Sequence, residues 1–165
     1  MTKWLKNAVF YQIYPQSFKD TNGDGIGDFN GIIEKLDYIK DLGFTAIWMN
    51  PCFDSPFFDA GYDVRNYYTT ASRYGTNKDI KNLFDEVHSR DLHIILDLVP
   101  GHTSVEHKWF AESQKATKNE FSDRYIWTDS ICKDCAGYPE ISRIFRITAL
   151  GILRLSLIII LNASI

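Results

Sequence analysis

The sequence has little cysteine and little proline, 3 and 5 in 165 residues. An odd number of cysteines (Cys52, Cys132, Cys135) argues against a disulfide framework. Cys132-Lys-Asp-Cys135 is a lone CxxC, and without a second pair at zinc-finger spacing it does not specify a metal site. The chain has no basic block, and its net charge of −3 gives no footing for nucleic acid or an anionic membrane. The opening Met1-Thr-Lys-Trp-Leu-Lys-Asn7 has no apolar signal core, so the expectation is a cytoplasmic protein. The chain also lacks a GxGxxG phosphate loop.

What is present reads as a globular chain: 45% hydrophobic, 15% aromatic, 24% charged. Residues 8–99 alternate strand and helix signals. Ala8 to Tyr14 is rich in aromatic and β-branched residues and stops at Pro15, which predicts a strand. Ile32, Ile33, Leu36, Ile39 and Leu42 then recur at helical spacing. Asn30 or Gly31 is available as a cap, and Gly43 is a stop. Phe44 to Met49 predicts a second strand. A long polar-aromatic loop follows, from Asn50 to about Thr76. Ile80, Leu83, Phe84 and Val87 mark another helix with Thr76 or Asn77 as cap, and Ile94 to Val99 a third strand. This β-α-β-α-β order without a hairpin signal predicts a parallel sheet with right-handed crossovers. A doubly wound sheet and a (β/α)8 barrel both satisfy it. The long acidic loop after the first strand, where a glycine-rich phosphate turn would belong, favours the barrel. It also disfavours a flavodoxin-like nucleotide binder.

Three loops that follow strands carry polar chemistry. Asp20-Thr-Asn22-Gly-Asp24-Gly-Ile26-Gly-Asp28 alternates oxygen donors with small residues. Asp20, Asn22 and Asp24 have the spacing of a calcium loop's first ligands, and Gly25 allows the chain to curl. The twelfth position is Gly31 rather than Glu, so this is no EF-hand. A solvated loop of Asx-turns is the simpler alternative. In Phe58-Asp59-Ala-Gly-Tyr62-Asp63, an aromatic ring stands among carboxylates. That combination holds sugars: the ring covers a C–H face while the acids accept hydroxyl hydrogens. Asp97-Leu-Val-Pro-Gly-His102 places a carboxylate and an imidazole where a buried strand gives way to a loop. In a parallel barrel that end of the strand is the catalytic face.

Tyr11-Gln-Ile-Tyr-Pro15, Asp20 to Asp28, Asn50-Pro51, Gly61-Tyr62-Asp63 and Asp97 to His102 together resemble the N-terminal part of the alpha-amylase family of glycoside hydrolases, particularly its alpha-glucosidase, oligo-1,6-glucosidase and trehalose-synthase branch. The resemblance covers about residues 4–130. It implies a TIM barrel of which residues 1–102 would form the first three β/α units. Residues 103–142 would begin a domain inserted after the third strand, and 143–165 would be a divergent apolar tail. It also implies that Tyr62 stacks on a sugar, that Asp59 and His102 bond its hydroxyls, and that Asp97 supports the site's electrostatics. Asp20, Asn22, Asp24, Asp28 and the Ile26 carbonyl would bind structural calcium. Gly101 stands where the family often has Asn.

The family's Asp nucleophile follows the fourth strand and its Glu acid/base the fifth. No Gly-Phe-Arg-x-Asp-like motif occurs among the 165 residues. The resemblance therefore implies an N-terminal portion of a retaining glycosidase acting on α-glucans or α-glucosides, inactive alone. The alternative is a non-catalytic calcium- or sugar-binding module. From 141 to 165 there is no Asp, Glu or Lys, and all 21 acidic residues precede this stretch. Arg146 and Arg154 interrupt it, so it does not read as a membrane span. A shifted reading frame would produce such a junction.

Overall fold

The computed structural model describes residues 3–125. Cys132, Cys135 and the apolar tail lie outside the described residues. After a 3-10 turn at Lys3–Asn7, the elements run β1 (Phe10–Ile13), α1 (Phe29–Ile33), α2 (Leu36–Asp41), β2 (Ala46–Met49), β3 (Phe53–Asp54), β4 (Asn66–Thr70), α3 (Asn77–Ser89), β5 (His93–Leu96) and α4 (Lys108–Ser113). Short 3-10 turns occupy Pro15–Ser17 and Ser122–Arg124.

β1, β2 and β5 form one sheet with parallel pairing throughout, as the alternating pattern predicts. The register aligns Tyr11 with Ile47 and Ile94, and Ile13 with Met49 and Leu96. Because strand side chains alternate, these residues share one face. Ile13, Ile47, Met49 and Ile94 on that face pack in one cluster with Phe29 and Ile32 of α1, Leu36 and Ile39 of α2, and Leu83 and Val87 of α3. Burying such an aliphatic side chain contributes about 1.5–3 kcal/mol. Gln12 and Trp48 lie on the opposite face, Gln12 exposed and Trp48 at 40% exposure. Lower on that face Trp4 stacks on His93, with ring centroids 4.1 Å apart. Among the described residues, then, α1, α2 and α3 all cover the same side of the sheet. A doubly wound sheet would carry helices on both.

Two expectations need correction. The helix predicted across Ile32–Leu42 is two helices, with Glu34 ending α1 and Lys35 (φ −108°) opening α2. The apolar ridge Ile32, Leu36, Ile39 runs unbroken across the break, so periodicity could not reveal it. Its cap is Asp28, whose carboxylate accepts from Gly31 N at 2.7 Å, rather than Asn30 or Gly31. Gly31 is instead buried in the first turn, where a Cβ would collide with the Lys19 carbonyl. Secondly, the long loop contains an antiparallel pair, β3 with β4, irregular at Phe53/Asp54. A strand of two residues leaves no alternation to read.

Other signals hold. Gly43 (φ +91°) follows the end of α2 and donates its N–H to Lys40 O at 2.9 Å. Thr76 caps α3 in a capping box. Its hydroxyl accepts from Asp79 N at 3.3 Å, and Asp79 accepts from Thr76 N at 2.7 Å. No helix among the described residues is long and apolar enough to cross a membrane.

Candidate active-site pocket

The sheet ladder continues one residue beyond the strands. Asn50 N donates to Ile13 O and Asp97 N to Met49 O, both at 2.9 Å. Tyr14, Asn50 and Asp97 therefore stand side by side at the carboxyl ends of β1, β2 and β5. Alternation puts them on the face that carries Gln12 and Trp48. Parallel strands bring these ends to one edge, so loops far apart in sequence meet there.

The loop between β3 and β4 reaches over this edge. Tyr62 Oη donates to Asp97 Oδ2 at 3.0 Å and accepts from Asn50 Nδ2 at 2.9 Å. Gln12 Nε2 donates to Asn50 Oδ1 at 3.2 Å, so a chain of hydrogen bonds crosses all three strands. Tyr14 Oη donates to the Ala60 carbonyl at 3.0 Å and ties the same loop to the end of β1. Burial pushes the Tyr62 phenol above its ordinary pKa. The Asn50 amide opposes this, and the Asp97 carboxylate reinforces it.

The four residues expected to bind sugar are not all brought into contact. Tyr62 and Asp97 meet directly. Asp59 lies in the same turn, its carbonyl accepting from Tyr62 N at 2.8 Å, and is exposed. His102 is exposed, and its carbonyl accepts from Tyr67 Oη at 3.2 Å. Tyr67 also donates to Val99 O at 2.5 Å, pinning the loop that follows β5, and burial pushes its phenol up to about 12. Arg65 secures the same region with a bidentate pair to Asp54 at 2.7 and 2.8 Å and a bond to Glu106 at 2.9 Å. Asp63 was grouped with the sugar-holding acids, but it is 9% exposed and its oxygens are taken by its own loop.

The Asp20–Asp28 loop is a run of Asx-type bonds. Asp20 accepts from the N–H groups of Asn22, Gly23 and Gly25, at 2.7–2.9 Å. Asn22 accepts from Asp24 N at 2.9 Å and Asp24 from Ile26 N at 2.8 Å. These backbone bonds hold the Asp20 carboxyl below its usual pKa. Asp28 accepts from Thr21 N and Oγ1 as well as from Gly31. The donor types suit a hard cation. Among the described residues, however, no group of three or more His, Cys, Asp or Glu side chains is placed to hold a metal.

Comparison with known proteins decides the family. The model of the alpha-amylase catalytic domain matches residues 12–148. The chain belongs to the alpha-amylase family. It is 55% identical over 129 residues to an oligo-1,6-glucosidase of Heyndrickxia coagulans, which covers 78% of this chain and 23% of that protein. It is 53% identical over 126 residues to a trehalose-6-phosphate hydrolase of Bacillus subtilis, covering 76% of this chain and 22% of the relative. The crystal structure of the Bacillus licheniformis trehalose-6-phosphate hydrolase superposes with a TM-score of 0.75 at 51% identity, over 79% of this chain and 23% of that one. An isomaltulose synthase from Protaminobacter rubrum gives a TM-score of 0.76 at 51% identity, over 79% of this chain and 24% of that one. The chain thus spans about a quarter of the length of the curated relatives it matches.

In this member of the alpha-amylase family, sequence reasoning missed Gln12, Tyr14 and the structural part played by Asn50. The signal for Asn50 was available: it follows β2 as Asp97 follows β5. A separate cavity of about 320 Å³, lined by Tyr67, Val99, Trp109, Arg124 and Tyr125 among others, includes none of the residues expected to bind sugar. Its walls are largely apolar and aromatic, and Arg124 lies 4.2 Å over the Trp109 ring.

Proposed function

We propose that this chain supplies the first three β/α units of a (β/α)8 barrel and, within it, part of a pocket for a glucose unit in an enzyme cleaving α-glucosidic bonds. The observation that carries the reading is the Tyr62–Asp97 hydrogen bond, which joins two strand-end loops 35 residues apart. The Tyr62 ring offers a face to sugar C–H groups, while Asp97 and exposed Asp59 supply acceptors for hydroxyls. His102, from the loop after β5, approaches the same sugar. The placement of α1, α2 and α3 on one side of the sheet supports the barrel. Residues 103–142 begin the inserted segment. The relatives named above carry glucosidase and trehalose-phosphate hydrolase activities, and by that likeness the substrate is an α-glucoside.

Retaining hydrolysis needs two carboxyl groups about 5–5.5 Å apart across the scissile bond, one of them a nucleophile. The chain brings Asp97 and Asp59 to the edge but carries no nucleophile motif of the family's kind. The 165-residue chain alone therefore binds a glucose unit weakly and does not hydrolyse glycosides. The test is incubation of the purified chain with p-nitrophenyl α-glucoside: no release of p-nitrophenol is expected, and turnover above the buffer rate contradicts the reading.

Calcium at the Asp20–Asp28 loop is proposed on the alternation of Asp20, Asn22 and Asp24 with small residues and on their hard oxygen donors. Binding there includes turning carboxylates away from the backbone N–H groups that they now accept. A rise in melting temperature with calcium, removed by chelator and lost in Asp24→Ala, is expected. An unchanged melting temperature at saturating calcium counts against it.

A further inference from the structure

We propose that Asp63 is a positioning residue of this pocket: its buried carboxylate folds residues 55–63 into the turn that holds Tyr62 against Asp97 and brings Asp59 alongside. The inference rests on reading Tyr62 and Asp97 as part of a sugar site, and it adds a residue that does not reach the sugar.

Three donors converge on this one side chain. Oδ1 accepts from Ser55 Oγ at 2.7 Å and from Asp59 N at 3.2 Å, and Oδ2 accepts from Phe58 N at 3.0 Å. Ser55 Oγ in turn accepts from Phe57 N at 2.9 Å, so Asp63 fixes three consecutive amides, one of them through a hydroxyl. The neighbouring cation takes no part, because Arg65 is turned to Asp54 and Glu106.

The turn needs an anchor of this strength. Phe57 (φ +63°) and Ala60 (φ +54°) are non-glycine residues in the left-handed region. Each such residue costs on the order of 1–3 kcal/mol and persists only where its surroundings over-determine it. On its far side the turn closes through Tyr62 N to Asp59 O at 2.8 Å and docks on β1 through Tyr14 Oη to Ala60 O at 3.0 Å. With both sides held, the Tyr62 hydroxyl falls between Asn50 and Asp97. Removing the carboxylate takes the acceptor from the Phe58 and Asp59 amides and leaves the left-handed turn held by Arg73 over the Phe57 ring and by Tyr14 at the Ala60 carbonyl, so the turn opens and the phenol leaves Asp97.

An Asp63 that merely stabilised the fold would lower the melting temperature without changing what Tyr62 touches. The distinguishing experiment titrates the tyrosine phenols of the full 165-residue chain by NMR, with Tyr62→Phe identifying the Tyr62 signal. The groups facing this phenol are Asn50, Asp97 and Tyr14. In Asp63→Asn, an amide N–H₂ confronts at least one of the three donors. Tyr62 is then expected to titrate near the ordinary phenol value of about 10, while Tyr67 keeps its raised value. If Asp63→Asn does not fold, Ser55→Ala removes one donor and the Phe57 relay, and a smaller fall at Tyr62 is expected. A folded Asp63→Asn, or a folded Ser55→Ala, with Tyr62 titrating as in the unaltered chain overturns the proposal. The titration is run without sugar, so its result is independent of whether the chain binds glucose.

Discussion

The two faces of the parallel sheet have opposite characters. One carries Ile13, Ile47, Met49 and Ile94 at 5% exposure or less beneath α1, α2 and α3. The other carries exposed Gln12 and Trp48 beside buried Ala46 and Ile95, rising to Asn50 and Asp97 at the strand ends. Every second residue of the same short strands belongs to each. The covered face accounts for stability, because it removes aliphatic surface from water. The open face gives up part of that gain and keeps polar and aromatic groups within reach of a ligand, which is how a sheet can be both scaffold and site.

Neighbours in β2 test this most sharply. Ile47→Ala empties a fully buried position on the central strand and is expected to cost about 2–5 kcal/mol in urea unfolding. A loss under about 1 kcal/mol would mean that the helices do not seal that face. Next in size is Thr76→Ala, which removes the cap that starts α3 over the core. A loss of about 1 kcal/mol is expected from the same measurement. Trp48→Ala, one residue from Ile47 but on the open face, is expected to cost less than Ile47→Ala despite the larger side chain deleted. Equal losses would erase the distinction between the faces.

The smallest effect concerns pH. Hydrogen bonds from Thr76 hold the Asp79 carboxyl below its usual pKa. A carboxylate whose folded pKa is lowered contributes stability that is fully present above the unfolded value of about 3.9 and is lost as pH falls through the lower folded value. Unfolding of Asp79→Asn, followed from neutral to acid pH, should therefore show a shallower decline below pH ~4 than the unaltered chain. Parallel curves would remove Asp79 from the account.

The sequence carried the covered face well, and the reason is periodicity. Ile80, Leu83 and Val87 repeat at helical spacing, and Ile47 and Ile94 sit in short apolar runs, so parallel strands and crossover helices were legible. The break at Glu34–Lys35 was not, because Ile32, Leu36 and Ile39 keep one phase across it. Nor was the cap at Asp28, whose spacing also suits a metal loop. The open edge was legible only where residue type is distinctive. Tyr62 and Asp97 stood out beside glycines and at a strand end, and the structure brings them to 3.0 Å. Gln12 and Tyr14 carry no such mark, since their part depends on register across three strands, whereas Asn50 was marked only by its place after β2. Asp63 misled for the opposite reason: an acid beside Tyr62 reads as a sugar ligand, yet its oxygens are consumed by Ser55, Phe58 and Asp59.

The account turns on whether strand-end loops converge into part of a glucose pocket. The most direct measurement is amide chemical-shift mapping of the isotope-labelled chain titrated with glucose at high millimolar concentration. The account predicts that the shifts concentrate at Asn50, Asp59, Tyr62, Asp97 and His102 and that they vanish in Asp97→Ala. Glucose-induced shifts that avoid Tyr62 and Asp97, or none at any residue, would contradict it.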